Sequence, residues 1–360
     1  MTSGVVIDRW QTPEEAREAG WNTLVGAEDF FLGTDWMRVL QDSAGAWMGY
    51  LTARDGERPL AAMALVRATR ESPWSLGRTD LLVRHCAEEG MAGAREVLAA
   101  FGDVDRLMPS MMGGGRHLGR TRLLLHPHAD PSTAHRVLDE AEATAVREGC
   151  RSLCLPYVDA DDRVQREVLR ERGYTSHVSG QFATLTLPGA GFTDYALAFP
   201  PHRSRRVRAE RRRVGAAGVR ITLAPLDPAD IPRLAALETE LFAKYGMTGW
   251  DPLRSEAVLR AAAARLGDRA LVSRAELDGR VIGFTLILSH GDVWFAHRAG
   301  FDYAAVGKLP LYYELTYYTP ADHAPRHGVK TVQYGIGSTE AKVSRGCSLS
   351  TQYLYVKELG

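Results

Sequence analysis

Residues 294–346 read WFAHRAGFDYAAVGKLPLYYELTYYTPADHAPRHGVKTVQYGIGSTEAKVSRG and contain the strongest structural signals of the chain. The apolar runs from Trp294 to Ala299 and from Val329 to Tyr334 predict two strands. Between them, Pro310 stands at a first helical position, and an aromatic run follows it. Residues 335–346 form a glycine-rich loop that holds a Glu, a Lys and an Arg. The stretch therefore predicts a βαβ unit ending in a polar cluster, where open α/β sheets usually bind ligands.

Length and composition favour two globular domains. The chain has 360 residues, 45% hydrophobic and 24% charged, which is too long for one ordinary core. Its 44 basic and 44 acidic residues give zero formal net charge, so attraction to nucleic acid must come from a local patch.

The N-terminus lacks a signal-peptide pattern and no apolar run reaches roughly 18 residues, so we expect a cytoplasmic protein without membrane insertion. The four cysteines lack metal-site spacing, so no metal is expected.

The order of the predicted elements is the same in both halves of the chain. In the first half, the Asp55-Gly56 turn joins two apolar runs into a hairpin, and a βαβαβ pattern follows. In the second half, a hairpin with a turn at Asp278-Gly279 precedes the βαβ unit. The hairpin sequences TARDGERPLAAMAL and SRAELDGRVIGFTL resemble each other and predict an internal duplication of one α/β unit. The predicted domains are residues 1–188 and 203–360, joined by the linker 189–202.

Helical periodicity and short apolar runs complete the prediction. Helices are predicted at residues 14–40, 131–148, 162–172, 230–245 and 255–266. Single strands are predicted at residues 120–125, 152–158 and 181–187. The segment GGGRHLG, residues 113–119, precedes the first of these strands. A dinucleotide-binding loop must follow a strand and open a helix, so this segment is interpreted as a hairpin or a cover loop.

Residues 203–213, RSRRVRAERRR, have the most unusual composition in the chain. They hold seven arginines and one acid, Glu210. Helical spacing places Arg205, Arg208 and Arg212 on one face. Like charges at this density repel one another, so the run favours an anionic partner, and the planar arginine fork binds phosphate oxygens in pairs. The alternative is a solvated linker helix.

Five other residues are candidates for the site. Glu340, Lys342 and Arg345 lie in the glycine-rich loop, and the two cations would place positive charge beside a carbonyl or phosphate oxygen. Stabilising a developing oxyanion is usually the largest catalytic contribution in acyl transfer. Tyr313 lies one turn into the aromatic helix and would orient a substrate, while Arg298 ends the first strand. The alternatives are a surface loop with ordinary charges and tyrosines that pack in the core.

Three motifs of the second half resemble the FemX/FemAB-like branch of the GNAT fold, which is related to the BioF2-like and FemAB-like acetyltransferase families. The run HRSRRVRAERRRVGAAGV is similar to the branch's R-x-x-x-R-x-E-R-R-x-x-x-x-x-G helix, and LPLYYELTYY to its aromatic helix with a central Glu. GSTEAKVSRG resembles the ending G-E-H-K-x-x-R-G, although Ala341 stands where a His is common. The matching residues of this ending are Glu340, Lys342, Arg345 and Gly346. The resemblance covers roughly residues 200–356.

The resemblance implies tandem GNAT-like domains of the α/β class, each a mixed sheet flanked by helices, with the site in the cleft between them. In Fem-type enzymes an amino acid moves from its charged tRNA to an amine, and a lysine of the terminal motif, here Lys342, lies at the reacting centre. Glu340 would orient this lysine, and Arg345 would contact phosphate. The other arginines implied to hold phosphates of the tRNA or the acceptor are Arg203, Arg206, Arg208 and Arg211. The acceptor would be an amine, hydroxylamine or hydroxyl of a cell-wall precursor or a natural-product intermediate.

Neither half carries the pyrophosphate loop of GNAT enzymes that use coenzyme A, R/Q-x-x-G-x-G/A between a strand and a helix. In the second half, residues 303–309 hold a single glycine. In the first half, residues 126–131 hold none, and they contain prolines, which lack amide donors, and Asp130, which would repel a pyrophosphate. The sequence therefore favours aminoacyl-tRNA as the donor, with no other cofactor. The alternatives are an acyl-CoA-dependent N-acyltransferase that uses acetyl-CoA and a non-catalytic RNA-binding protein on a GNAT fold.

Overall fold

The computed structural model describes residues 4–114, 119–247 and 250–360, apart from the side chain of Ala44. The chain divides into two compact units, which we call the first unit and the second unit. The first unit comprises Met1–Gln41, Gly45–Phe182 and Leu349–Gly360. The second unit comprises Asp42–Ala44 and Ala183–Ser348. Each unit is a mixed sheet with helices, so the predicted α/β class is confirmed.

The strands and helices follow one another along the chain in both units. The strands are β1 (Val6–Trp10), β2 (Met48–Asp55), β3 (Arg58–Ala68), β4 (Ser110–Gly113), β5 (Leu124–Leu125), β6 (Ser152–Asp159), β7 (Thr175–Thr186), β8 (Arg220–Pro225), β9 (Ala270–Leu277), β10 (Arg280–His290), β11 (Val293–Phe301), β12 (Thr331–Gly335) and β13 (Ser348–Glu358). The α-helices are α1 (Pro13–Glu18), α2 (Thr34–Ala44), α3 (Thr79–Glu88), α4 (Ala94–Phe101), α5 (Pro131–Arg147), α6 (Arg163–Glu171), α7 (Phe192–Leu197), α8 (Pro201–Ala216), α9 (Ile231–Lys244), α10 (Pro252–Leu266), α11 (Tyr303–Val306), α12 (Leu311–Tyr313), α13 (Thr319–His323) and α14 (Thr339–Val343). A π-helical turn, Glu314–Tyr318, joins α12 to α13. The 3-10 turns are Trp21–Leu24, Phe30–Leu32, Ser75–Gly77, Val104–Leu107, Pro228–Asp230, Gly267–Arg269 and Ala324–His327.

The two units share one order of strand pairing. In the first unit β1, β2, β3 and β4 pair antiparallel in succession, and β4 pairs parallel with β6. In the second unit β8, β9, β10 and β11 pair antiparallel in succession, and β11 pairs parallel with β12. Each parallel pairing is short, with Ser110 to Met112 beside Ser152 to Cys154, and Val293 to Phe295 beside Thr331 to Gln333. This shared order is the pattern expected of the predicted duplication.

The last strand of each unit comes from a distant part of the chain. β13 pairs antiparallel with β6 in the first unit, where Gln352 lies opposite Asp159. Residues 183–186 of β7 pair antiparallel with β12 in the second unit, where Thr186 lies opposite Thr331. The boundary between the units therefore falls after Phe182 in the sequence, and residues 349–360 belong to the first unit. The predicted domains were residues 1–188 and 203–360. Composition cannot show this difference, because backbone hydrogen bonds between strands do not depend on chain order.

The predicted linker, 189–202, is a folded part of the second unit. It contains α7 and the start of α8, and Asp194 accepts the amide hydrogen of Ala190 at the beginning of α7. The rings of Phe192 and Tyr195 lie 5.6 and 6.2 Å from the ring of Tyr318. The glycines and prolines of this segment therefore mark the ends of a short packed helix.

Most of the predicted helices and both hairpins are confirmed, and two differences have local causes. The predicted helix 14–40 is divided into α1, two 3-10 turns and α2, because Gly20 has a left-handed φ of 85° and Gly33 is extended before α2. The predicted strand 120–125 is reduced to β5, and β4 makes the parallel pairing instead. Residues 115–118 of the predicted cover loop lie outside the described residues. The four cysteines are buried free thiols, and no described helix is long and apolar enough to cross a membrane.

Because β13 belongs to the first unit, truncating its buried side chain Tyr355 should destabilise the first unit more than the second. Tyr355 is 3% exposed in the core of the first unit, so Tyr355→Ala should lower the free energy of unfolding by about 3 kcal/mol, as for other buried aromatic side chains. Native-state hydrogen exchange should lose protection in α5 and β6 and retain it in β11 and β12. The control Val343→Ala alters an exposed side chain and should change stability by less than about 0.5 kcal/mol. Equal loss of protection in both units would contradict this grouping.

Candidate functional site

The arginine run forms α8, and the helix has one buried face. Pro201 occupies its first position, where the missing amide hydrogen costs nothing. The side chains that face the interior of the second unit are those of Ser204, Val207, Glu210 and Val214. Their spacing leaves the arginines on the remaining surface of the helix, so the run is a surface helix held by a narrow buried strip.

The arginines of α8 fall into two groups. Three of them have partners: Arg206 Nε donates to Glu210 Oε1 at 2.9 Å, Arg211 Nη2 to Asp322 Oδ2 at 2.7 Å, and Arg213 Nη2 to the Lys308 carbonyl at 3.0 Å. In the part of the chain that the structure describes, no acidic side chain lies within ion-pair distance of the other four. We call these the free arginines, namely Arg203, Arg205, Arg208 and Arg212. Of the predicted phosphate ligands on this helix, Arg203 and Arg208 are thus available, while Arg206 and Arg211 already have acidic partners.

Glu210, the one acid of the run, binds Arg345 inside the second unit. The Arg345 side chain is 1% exposed, and its Nη2 donates to Glu210 Oε2 at 2.8 Å. Its Nε donates to the Tyr318 hydroxyl at 2.8 Å, and that hydroxyl donates to Glu210 Oε2. Burial and the hydrogen bond to Glu210 raise the pKa of Tyr318. An interior carboxylate therefore neutralises the charge of Arg345 in this structure, and its contact with phosphate stays a prediction.

Aromatic side chains hold Arg345 from two further directions. The guanidinium carbon lies 3.6 Å from the centre of the half-buried Tyr313 ring, and the Tyr195 hydroxyl donates to the Arg345 carbonyl at 2.8 Å. A cation over an aromatic face is favoured by the ring quadrupole. Tyr313 therefore supports Arg345, which agrees with the packing alternative, and orientation of a substrate by this ring stays a prediction.

The side chain of Lys342, which belongs to α14, is buried against the end of β12. It is 5% exposed, and its Nζ donates to the carbonyls of Tyr334, Gly335 and Ile336 at 2.7, 2.9 and 2.7 Å. Burial lowers its pKa to about 8. The carbonyls, and not Glu340, orient the ammonium group, since they take all three of its hydrogens. Contact with a reacting oxygen would require exchange of one of these hydrogen bonds, so the catalytic role of Lys342 stays a prediction.

Arg298 belongs to a separate buried network. Its side chain is 14% exposed, and its Nη1 donates to Glu238 Oε2 at 2.7 Å. The Ser255 hydroxyl donates to the same oxygen and accepts the Trp250 indole hydrogen at 2.9 Å. This ion pair and its hydrogen bonds fix α9 and α10 to β11, and the contact of Arg298 with a substrate stays a prediction.

Glu314, which the sequence prediction did not select, is a buried acid in the π-helical turn. It is 2% exposed, its Oε1 accepts from the Thr319 hydroxyl at 3.1 Å, and Arg211 Nε lies 3.5 Å from that oxygen. Burial raises the pKa of Glu314 to about 7. Its Oε2 has no hydrogen-bond partner in the described part of the chain. The signal for it is an acid within an aromatic run, and π-turns are frequent at functional sites.

A groove of about 560 Å³ lies between α8 and α14 in the second unit. The residues that line it are Phe199, Pro200, His202, Arg203, Thr339, Glu340, Val343 and Ser344. One wall carries the free arginine Arg203, and the other carries the exposed carboxylate of Glu340. Arg345 Nη1 donates to Ser344 Oγ at 2.7 Å, so the buried network also fixes one wall of the groove. The groove thus brings together two of the predicted site residues and leaves the other predicted residues outside its lining.

Residues 201–343, from the start of α8 to the end of α14, match the acetyltransferase (GNAT) domain family. The matched segment holds the free arginines and most of the groove lining. No curated protein is significantly similar in sequence to this chain.

Solved structures extend the similarity to the whole chain. FemX has 10% sequence identity and a TM-score of 0.64, with 97% of this chain and 96% of FemX covered. A tandem GNAT protein from the clavulanic acid biosynthesis pathway has 13% identity and a TM-score of 0.57, with 99% of each chain covered. The C-terminal domain of a putative lysylphosphatidylglycerol synthetase from Agrobacterium fabrum has 9% identity and a TM-score of 0.55, with 96% and 91% covered. These similarities confirm the tandem GNAT-like fold and the predicted resemblance to FemX.

The Arg345 network predicts a large effect on stability when one partner is removed. Because the buried Glu210 would lose its interior cation and keep only the exposed partner Arg206 described above, Arg345→Met should lower the free energy of unfolding by about 3 kcal/mol. The control Arg205→Met removes an exposed arginine and should change it by less than about 0.5 kcal/mol. Urea unfolding measures both values. Similar small effects in the two variants would show that Arg345 is not part of the core.

Burial of Lys342 predicts a dependence of stability on pH. The lysine has a pKa of about 8 in the folded chain and an ordinary value of 10.5, so the unfolded chain binds its proton more tightly between these values. The unfolding free energy of the wild type should therefore rise, relative to Lys342→Met, by up to about 3 kcal/mol from pH 8 to 10.5. Urea unfolding at a series of pH values measures this difference. Parallel curves for the two proteins would show that folding does not lower the pKa of Lys342.

Proposed function

We propose that the chain is an aminoacyl-tRNA-dependent acyltransferase that transfers an amino acid to an amine, hydroxylamine or hydroxyl acceptor. The observation that carries the choice of donor is the set of free arginines on α8 beside the groove. The acyltransferase class is supported by the GNAT family match over residues 201–343. The shared folds of FemX and the putative lysylphosphatidylglycerol synthetase agree with this choice.

The free arginines supply positive charge that no acidic side chain neutralises within ion-pair distance among the described residues. The full sequence is balanced at zero formal charge, and other exposed arginines, such as Arg206 and Arg220, have acidic partners. A surface that keeps unpaired arginines along one helix suits a ligand with regularly spaced phosphates. Binding of RNA to such a surface releases counterions and gains affinity that decreases with salt.

In both units, an aspartate caps the N-terminus of the helix that begins where a coenzyme A-binding loop would lie. In the first unit, Asp130 Oδ1 accepts the amide hydrogen of Ser132 at 2.8 Å, and Pro131 contributes no amide hydrogen. In the second unit, Asp302 Oδ1 accepts the amide hydrogen of Ala305 at 3.0 Å. These carboxylates occupy the donors that would hold a pyrophosphate and add negative charge there. Both observations support a donor other than acyl-CoA.

The proposed reaction needs few chemical groups from the protein. The acceptor nitrogen attacks the carbonyl carbon of the aminoacyl ester, the new C–N bond forms, and the C–O bond to the RNA ribose breaks. The proton lost by nitrogen is balanced by the proton that the leaving ribose oxygen gains. Because the ester is already reactive, positioning the two substrates supplies most of the rate acceleration. The groove and the free arginines are the parts of the second unit that would position the donor.

The proposal predicts that transfer depends on intact RNA. The purified protein, incubated with mixed charged tRNA and a mixture of small amines, should release deacylated tRNA and form an aminoacylated amine. Ribonuclease treatment before the assay should abolish the product. Incubation with acetyl-CoA should release no thiol. Thiol release with acetyl-CoA would instead support the acyl-CoA-dependent alternative, and tRNA binding without product would support the RNA-binding alternative.

A triple variant locates the contribution of the free arginines in this assay. Arg205→Gln, Arg208→Gln and Arg212→Gln together should weaken tRNA binding. The negative slope of log affinity against log salt should become less steep by about 3, roughly 0.9 for each lost phosphate contact. The matched control replaces Arg260, Arg265 and Arg326, which are exposed and paired with acids, by glutamine. Filter binding at several salt concentrations measures both slopes. An equal change in the two variants would contradict a specific role for α8.

A further inference from the structure

We propose that the groove between α8 and α14 binds the aminoacylated 3′ end of the donor RNA, with Glu340 binding the α-ammonium group of the amino acid and Arg203 a phosphate. The inference rests on the proposed function and adds the chemical group that each wall recognises. It also assigns a binding role to Glu340 in place of the predicted contact with Lys342.

Glu340 carries a carboxylate that no cation neutralises within ion-pair distance in the residues that the structure describes. The two nearest cations in sequence are both engaged elsewhere, since Lys342 binds three carbonyls and Arg345 binds Glu210. The Glu340 side chain is exposed, lines the groove, and has no ion-pair partner in the described part of the chain. Such a carboxylate repels RNA phosphates and weakens binding. Its place on this wall is favourable only if the ligand carries a cation there.

The opposite charge lies on the other wall of the same groove. Arg203 is one of the free arginines, and His202 lies beside it on α8. Between the charged walls, Phe199, Pro200 and Val343 add apolar lining. The groove therefore suits a ligand that has an anion, a cation and an apolar part. Aminoacylated RNA has all three, whereas deacylated RNA lacks the cation.

The size and rigidity of the groove agree with this occupant. Its volume of about 560 Å³ lies within the range of small-molecule sites, roughly 300–1,000 Å³. Ser344 Oγ donates to the Ala341 carbonyl at 2.8 Å and accepts from Arg345, so the end of α14 is held before a ligand arrives. A preformed wall lowers the ordering cost of binding. The end of the helix that carries Glu340 is therefore in place before the ligand binds.

The test compares three forms of one RNA, in binding assays without an acceptor. They are tRNA carrying alanine through a stable 3′-amide, the same RNA with the alanine nitrogen acetylated, and deacylated tRNA. At pH 6.5 the α-amino group is protonated, because its pKa is roughly 7.7–8.0. The wild type should bind the alanyl form about five-fold more tightly than the acetylated form, as expected for a partly exposed ion pair. This preference should disappear at pH 9, where the amine is neutral.

Two variants separate the walls of the groove. Glu340→Gln should bind the alanyl and acetylated forms equally, with affinity for deacylated tRNA unchanged or higher. Arg203→Gln should weaken all three forms by a similar factor of about five and keep the preference for the alanyl form. The control Glu256→Gln makes the same change of charge on α10 and should behave as the wild type. Thermal unfolding checks that the variants are folded.

The outcomes distinguish the inference from the function on which it rests. If the wild type binds tRNA and Glu340→Gln keeps the five-fold preference, the assignment of Glu340 is overturned while the proposed donor stands. If the wild type binds the alanyl and acetylated forms equally, the ammonium site is overturned in the same way. If no form of tRNA binds, the proposed function itself is overturned. Loss of the preference in Glu340→Gln alone supports the assignment.

Discussion

The buried ion pair between Glu210 and Arg345 fixes the arrangement of the segments that form the candidate site. Glu210 comes from the arginine helix, Arg345 follows α14, and the Tyr318 hydroxyl of the π-helical turn bonds to both. Two charges taken from water cost several kcal/mol each unless they remain paired. The second unit therefore has one favourable packing of these three segments, and the walls of the groove are part of it.

The charged residues of the terminal motif and the arginine helix fall into a buried group and an exposed group. The interior ones are satisfied by the protein, since Arg345 binds Glu210 and Lys342 binds the carbonyls at the end of β12. The surface ones, Arg203 and Glu340 among them, have no ion-pair partner among the described residues and line the groove. A motif that looks like one cluster of charges in the sequence thus contains both buried framework residues and exposed charges.

Local signals explain why part of this structure was predictable. Asp-Gly turns between apolar runs predicted both hairpins, and the aromatic run between two strands predicted the βαβ unit, because each feature is decided by neighbouring residues. The fate of Arg345 was not predictable in this way, since its partner lies 135 residues earlier in the chain. Spacing likewise placed Lys342 in the site without showing whether its ammonium group faces water or the carbonyls of Tyr334 and Gly335. The groove itself depends on how α8 packs beside α14, which no local pattern specifies.

The pairing of β13 with β6 has a consequence for biosynthesis. The chain leaves the ribosome from its N-terminus, so nearly all of the first unit emerges before residues 349–360 exist. Until they arrive, β6 lacks its antiparallel neighbour, and the nascent sheet exposes an unpaired edge along Ser152 to Asp159. The first core is therefore completed only once residues 349–360 have been made, and a product truncated before residue 349 keeps an open, association-prone edge.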